Sequence, residues 1–178
     1  MSELFLEREF EQPLRAAVVS AASEDLGEQG CVKLHRVEWL GSLLSADGHR
    51  MVCRFRAPDA EALRIVLRTV GVEDQCCLWP GTLHERPGLT GEEDASANVL
   101  VRRRFAQPIS VDEIQALEDA GAWCLEARQV KFIRTYCSTD CKRMICLYHA
   151  PDAESVRQAQ RQANMPVEDV WAFVNVLP

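Results

Sequence analysis

The chain repeats itself, and that repeat decides what it can fold into. The run Ser45-Ala46-Asp47-Gly48-His49-Arg50-Met51-Val52-Cys53-Arg54-Phe55-Arg56-Ala57-Pro58-Asp59-Ala60-Glu61 returns as Ser138-Thr139-Asp140-Cys141-Lys142-Arg143-Met144-Ile145-Cys146-Leu147-Tyr148-His149-Ala150-Pro151-Asp152-Ala153-Glu154. Ser, Asp, Arg-Met, Cys and Ala-Pro-Asp-Ala-Glu stand in register 93 positions apart, and Cys31 and Cys124 keep that spacing. Phe10-Glu11-Gln12-Pro13 against Phe105-Ala106-Gln107-Pro108, and Val72-Glu73-Asp74 against Val167-Glu168-Asp169, match at a spacing of 95. Self-similarity of this length marks a duplication, so both halves must adopt one fold.

Each half reads in the same order. Leu4, Leu6 and Phe10 alternate along a first strand, as do Val99, Val101 and Phe105. Leu14, Ala17, Val18 and Ala21 follow at helical spacing, and Ser110-Val111-Asp112-Glu113 is a capping box, in which hydroxyl and carboxylate satisfy the free amides of a first turn. Two β-rich stretches, Val32 to Leu44 and Met51 to Phe55, flank the turn signal Ala46-Asp47-Gly48. Pro58-Asp59-Ala60-Glu61 opens a second helix with Leu63, Val66, Leu67 and Val70 as its apolar stripe, Pro being placed in the first turn. A last strand, Cys76 to Leu83 or Val170 to Leu177, closes the unit.

The order βαββαβ, twice, predicts an α+β fold of two tandem ferredoxin-like domains. Both helices of such a domain cover one face of an antiparallel sheet, which leaves the other in want of a partner. The expectation is therefore an intramolecular pseudo-twofold dimer, resembling a dimeric α+β barrel. Copy one is assigned to residues 1–84 and copy two to 98–178, with the Pro-, Gly- and acid-rich stretch 85–97 as a flexible linker. A tether of this kind holds its partner at an effective concentration of about millimolar or above. Further self-association of the chain is left open.

Charge narrows the partners. A net charge of −7 disfavours a nucleic-acid partner, which needs a basic face, and an alternating strand splits the one basic run, Arg102-Arg103-Arg104, between two faces. The start of the chain, Met1-Ser2-Glu3-Leu4-Phe5, carries acidic residues and no positively charged leader, and there is no apolar run of about 18 residues to span a bilayer. The expectation is a cytoplasmic protein without a membrane partner, whose eight cysteines stay reduced.

In copy two, Phe132-Ile133-Arg134-Thr135-Tyr136-Cys137-Ser138, followed by Ile145-Cys146-Leu147-Tyr148-His149-Ala150-Pro151-Asp152-Ala153-Glu154-Ser155-Val156-Arg157, resembles a family of small bacterial domains that includes a nickel-binding protein. Glu7-Arg8-Glu9 is similar to the end of that family's first strand. The resemblance implies a ferredoxin-like fold, dimer-style pairing and a divalent metal ion as cofactor. This sequence departs from the pattern at the family's histidines. Arg134 and Gly41 stand where one imidazole is expected, and Ala159 and Val66 where the other is. None of these can serve nickel as an imidazole does, so nickel binding is placed in doubt.

Other candidates come from the residues themselves. Arg8 and Arg103 interrupt apolar strand faces at the same repeat position, and a charge on such a face must be paired or must line a cavity. One reading is an ion pair with a carboxylate of a neighbouring strand; the other is recognition of a small anionic ligand between the two sheets. Arg134 and Tyr136 join them as ligand-binding candidates, since copy one has Gly41 and Leu43 there. Cys137 and Cys141 bracket a tight turn and His149 lies on the returning strand, a loose metal-ligand set with no second pair. The alternative is surface and turn thiols without a ligand. Adjacent Cys76 and Cys77 point to opposite faces of a strand and do not share a metal easily.

There is no Gly-rich phosphate loop, Ser-His-Asp order or Cys-x-x-Cys pair. The sequence thus favours a binding protein for a small molecule or metal ion. The competing expectation is a small cofactor-free isomerase or oxygenase acting in a pocket between the two domains.

Overall fold

The computed structural model describes residues 1–28, 30–72 and 77–178, with the side chains of 23–28 and 93–94 left out. Glu73, Asp74 and Cys76, which figured in the repeat and the last strand, lie outside the described residues. The elements run β1 (Ser2–Glu9), α1 (Ala16–Glu28), α2 (Gly30–Leu34), β2 (Glu38–Ser45), β3 (Arg50–Ala57), α3 (Ala60–Thr69) and β4 (Leu78–Glu85). After them come α4 (Gly91–Ala95), β5 (Val99–Arg104), α5 (Val111–Ala120), α6 (Ala122–Glu126), β6 (Lys131–Ser138), β7 (Arg143–His149), α7 (Ala153–Gln162) and β8 (Asp169–Val176).

Two compact units result, one of residues 1–81 with 174–178, the other of residues 82–173. In unit 1 the antiparallel order is β4-β1-β3-β2. Unit 2 repeats it as β8-β5-β7-β6. Each is the split βαβ arrangement, so the tandem ferredoxin-like, α+β architecture is the observed one. Within the stretch 85–97, expected as a flexible linker, Glu85 pairs with Arg134 at 3.0 Å, Arg86 N–H donates to the Ile133 carbonyl at 3.2 Å, and α4 forms. Proline and glycine punctuate this segment, but backbone and ion-pair contacts tie it to unit 2.

Helix ends follow from capping. Asp59 and Asp152 are N-caps, accepting from the amides of Ala62 at 2.8 Å and Ser155 at 2.6 Å. Pro58 and Pro151 therefore stand just before the N-caps, two residues ahead of the first helical residue, and not in the first turn. Ser110 and Glu113 form the expected reciprocal capping box. Gly121 separates α5 from α6, and a Cβ there would come within 2.4 Å of Ala163 Cβ, so only glycine allows this close approach.

The helix-covered face of the unit 1 sheet buries Leu4, Leu6, Met51, Cys53 and Phe55 against Leu63, Val66 and Leu67. Unit 2 does the same with Val99, Val101, Met144, Cys146 and Tyr148 against Ile114, Val156 and Ala159. Both sheets carry a bulge at one repeat position, between Trp39 and Gly41 and between Phe132 and Arg134. The extra residue resets the alternation. Thr135, paired with Cys146, therefore faces the helices, while Arg134 and Tyr136 face away from them.

Candidate functional site

Arg103 is the largest wholly buried side chain described, at 0% exposure. Strand alternation sets it on the face of Val99 and Val101, so it points toward the helices of its own unit and not onto a face between two sheets. Its Nη1 donates to the Pro166 carbonyl at 2.6 Å. Nη2 donates to Gln160 Oε1 at 2.9 Å and to Tyr148 Oη at 3.1 Å, and Nε approaches Cys146 Sγ at 3.5 Å. Glu118 Oε1 lies 3.7 Å from Nη2, and the Tyr148 hydroxyl donates to that same oxygen. The ion pair expected for this arginine exists, with one correction: its carboxylate comes from α5 and not from a neighbouring strand. A guanidinium can be buried only if its donors are met, and here backbone, amide, phenol and carboxylate meet them together.

The electrostatics follow from burial. Glu118 is 6% exposed, and loss of water raises its carboxyl above the usual range, opposed by the Tyr148 hydrogen bond and by Arg103. Burial pushes the Tyr148 hydroxyl upward too, reinforced by the neighbouring Glu118. Burial alone would lower Arg103, but Cys146, Tyr148 and Glu118 outweigh it and hold the guanidinium charged.

Glu118 also borders a cavity of about 180 Å³ between α5 and the sheet. Val111, Ile114 and Phe132 form apolar walls, and Thr135, Cys146 and Glu118 are the buried polar groups lining it. Beside it a more open groove of about 380 Å³ runs past the start of α5, bordered by Thr82, His84, Asp112, Cys137 and Cys141.

The sequence-predicted site residues are distributed as follows. Arg103 stands behind the cavity, whereas Arg134 and Tyr136 lie on the opposite face of β6, Tyr136 wholly buried and Arg134 paired with Glu85. Arg8, in unit 1, is half-buried and sits 4.9 Å over the Phe10 ring. Cys137 and Cys141 do lie together, and burial, with Cys141 beside it, pushes the Cys137 thiol up to about 12. His149 does not join them. It ends β7 opposite Lys131, while Cys137 pairs with Met144 near the other end of the hairpin, and its Nδ1 meets the Ser96 carbonyl at 2.8 Å. Five residues of strand, about 17 Å, separate those two ends. Among the described residues no three His, Cys, Asp or Glu side chains gather as metal ligands, so the proposed Cys137–Cys141–His149 set does not fit a metal centre. A thiol held protonated is also a poor ligand.

Sequence reasoning missed Glu118, Gln160 and the hydroxyl of Tyr148. A signal existed for each. Glu118 follows Ile114 by four residues on the buried stripe of α5, Gln160 occupies the repeat position of Leu67, and Tyr148 that of Phe55.

Known proteins resemble this chain in part of its sequence and in its fold. The family described as nickel responsive protein SCO4226-like matches residues 100–172, within the second copy. Among solved structures, SCO4226 from Streptomyces coelicolor A3(2) is 19% identical over 42% of this chain and 91% of that chain, with a TM-score of 0.38. Chlorite dismutase from Candidatus Nitrospira defluvii, in complex with imidazole, is 12% identical over 99% of this chain and 91% of that chain, with a TM-score of 0.50. No curated protein sequence matches the chain. No helix among the described residues is long and apolar enough to cross a membrane.

Proposed function

We propose that this is a small-ligand binding protein and that the cavity beneath α5 in unit 2 is its binding site. The observation that carries the reading is the carboxylate of Glu118, buried yet lining an apolar-walled cavity of about 180 Å³. A core that needed only stability would do as well with apolar residues of similar volume, since a buried ion pair often contributes nothing net. A metal ion, which the nickel-responsive description of the matched family would favour, is the weaker form of the reading because the described residues gather no ligand set. An NMR screen of small amines, alcohols and carboxylates against the full chain, repeated with Ile114→Trp to fill the cavity, tests the proposal. Binders lost in the variant support it; binders of equal affinity to both forms place the ligand elsewhere.

A second reading, a cofactor-free isomerase or oxygenase, draws on the same residue. A carboxyl raised by burial at a cavity wall is suited to carrying a proton, as general acid–base catalysis requires. Turnover of a bound ligand that is lost in Glu118→Gln, with binding kept, would favour it.

A further inference from the structure

The geometry points to a protonated amine as the class of ligand that the unit 2 cavity takes. This rests on that cavity being the binding site. The hydrogen bonds around Glu118 run in one direction. Arg103 Nη2 donates to Tyr148 Oη at 3.1 Å, and the Tyr148 hydroxyl donates in turn to Glu118 Oε1. The relay stabilises negative charge on the carboxylate and occupies one of its oxygens, leaving the other as the acceptor for a guest.

The cation that balances this charge is spent inside the protein. Arg103 donates to Pro166, Gln160, Tyr148 and Cys146, and its side chain is not among those lining the cavity. Most of the remaining polar walls offer acceptors, Gln115 being a donor already turned to Asp119 at 2.8 Å. Thr135 gives its hydroxyl proton toward the Ile145 carbonyl at 3.2 Å, which leaves oxygen lone pairs, and Asp112 at the mouth is an acceptor only. His84, also at the mouth, is the lining side chain able to carry positive charge, and its Nε2 lies 3.0 Å from Thr82 Oγ1.

An anionic guest would meet the carboxylates of Glu118, Asp112 and Glu85, with the His84 imidazole alone among the lining side chains to set against them. A neutral guest would bring no charge to the second carboxylate oxygen, whose partner oxygen alone meets Tyr148 and Arg103. A primary ammonium brings three donors and a positive charge to a carboxylate that burial has deprived of water, and charge-assisted hydrogen bonds are the strong ones. The apolar walls of Val111, Ile114 and Phe132 would take its hydrocarbon part. The space corresponds to about six waters. That size suits a short alkylamine or benzylamine.

Titration calorimetry on the full chain with benzylamine, benzyl alcohol and benzoate, each up to about 10 mM, separates the alternatives. The expected result is that benzylamine binds at least tenfold more tightly than either neutral or anionic analogue. It should also weaken at least tenfold in Glu118→Gln and be lost in Ile114→Trp. Should Glu118→Gln fail to fold by circular dichroism, wild-type selectivity and the Ile114→Trp variant decide. Benzyl alcohol or benzoate binding as well as the amine, yet lost in Ile114→Trp, overturns the amine class and leaves the small-ligand cavity standing. No binding by any of the three, or binding indifferent to Ile114→Trp, overturns the cavity itself.

Discussion

Replacing Arg103 with Met tests whether the buried network is held as a unit. The change keeps most of the volume and removes every donor at once. Glu118 then loses its cation, and the Pro166 carbonyl and Gln160 Oε1 lose their partners. Breaking a buried pair from one side costs about 3–5 kcal/mol when the remaining charge is trapped. Glu118 has an outlet, because it borders a cavity and can take up a proton there. Its carboxyl is already raised by burial, and loss of Arg103 raises it further. A group whose folded pKa exceeds its unfolded value, about 4.3 for Glu, stabilises fully below that value and loses its contribution as pH rises through the folded pKa. The part of the Arg103→Met defect that comes from Glu118 should thus be small near pH 5 and grow to about 3–5 kcal/mol by pH 8, above a pH-independent cost of about 1–3 kcal/mol for each neutral acceptor left unpaired. Urea unfolding followed by tryptophan fluorescence at both pH values measures it. Adding Glu118→Leu should remove the pH dependence and recover the part of the loss that comes from the carboxylate. Arg8→Met is the control: half-buried over Phe10, it should cost no more than about 1 kcal/mol. A loss below about 1 kcal/mol for Arg103→Met at pH 8, or one that does not vary with pH, would refute the reasoning.

Three further outcomes are expected. Calorimetry with nickel should give a dissociation constant no tighter than about micromolar, and stoichiometric uptake that survives Cys137→Ser and Cys141→Ser would show a site overlooked here. Asp47 and Asp140 have carboxyls held below the usual range by the Ser45 and Ser138 hydroxyls and by the amides of His49 and Lys142. Their stabilisation is present above the unfolded Asp value of about 3.9 and lost as pH falls through the folded pKa, so Asp140→Asn should shrink the acid limb of a stability–pH curve. A fragment of residues 98–178 should self-associate or be partly unfolded. It drops Glu85, the partner of Arg134, and carries Leu100, Tyr136, Ile145 and Leu147 on the sheet face away from its helices. A cooperative monomer in sedimentation would count against this.

The fold was legible because repeat, periodicity and capping agree at every level. Met51, Cys53 and Phe55 alternate as a strand with one buried face, and Met144, Cys146 and Tyr148 repeat the pattern in copy two. The bulges at Leu40 and Ile133 were not legible in copy two, where nothing marks the inserted residue, although Gly41 inside a strand is a bulge signal in copy one. That single residue turns Thr135 toward the helices and Arg134 away, and so splits the predicted binding set. His149 was drawn to the cysteines by closeness in sequence, yet an extended strand carries it to the other end of the hairpin. Arg103 was found as a charge on an apolar face. Its partner was sought on a strand because strands are nearest in sequence, whereas the carboxylate arrives from α5 through tertiary packing.

The two halves show why the network is all or none. At one repeat position, Arg8 remains half-buried and Arg103 is wholly buried. Around Arg8 the equivalent positions hold Phe55 and Leu67, which accept no hydrogen bond, so full burial would leave the guanidinium without the phenol and amide that receive Arg103. An arginine stem lies readily along apolar surface while its head keeps water, and Arg8 over Phe10 does this at little cost. Copy two takes the costlier solution, which works only with Tyr148, Gln160, Glu118 and the Pro166 carbonyl all in place. Each of the three side chains could be replaced by an apolar residue, as copy one does at two of them, and a buried ion pair gives no general stability advantage over such a replacement. What the polar solution supplies, and the apolar one cannot, is a charge-bearing carboxyl group at the wall of a cavity. That difference between sister halves is why the proposed site lies in unit 2.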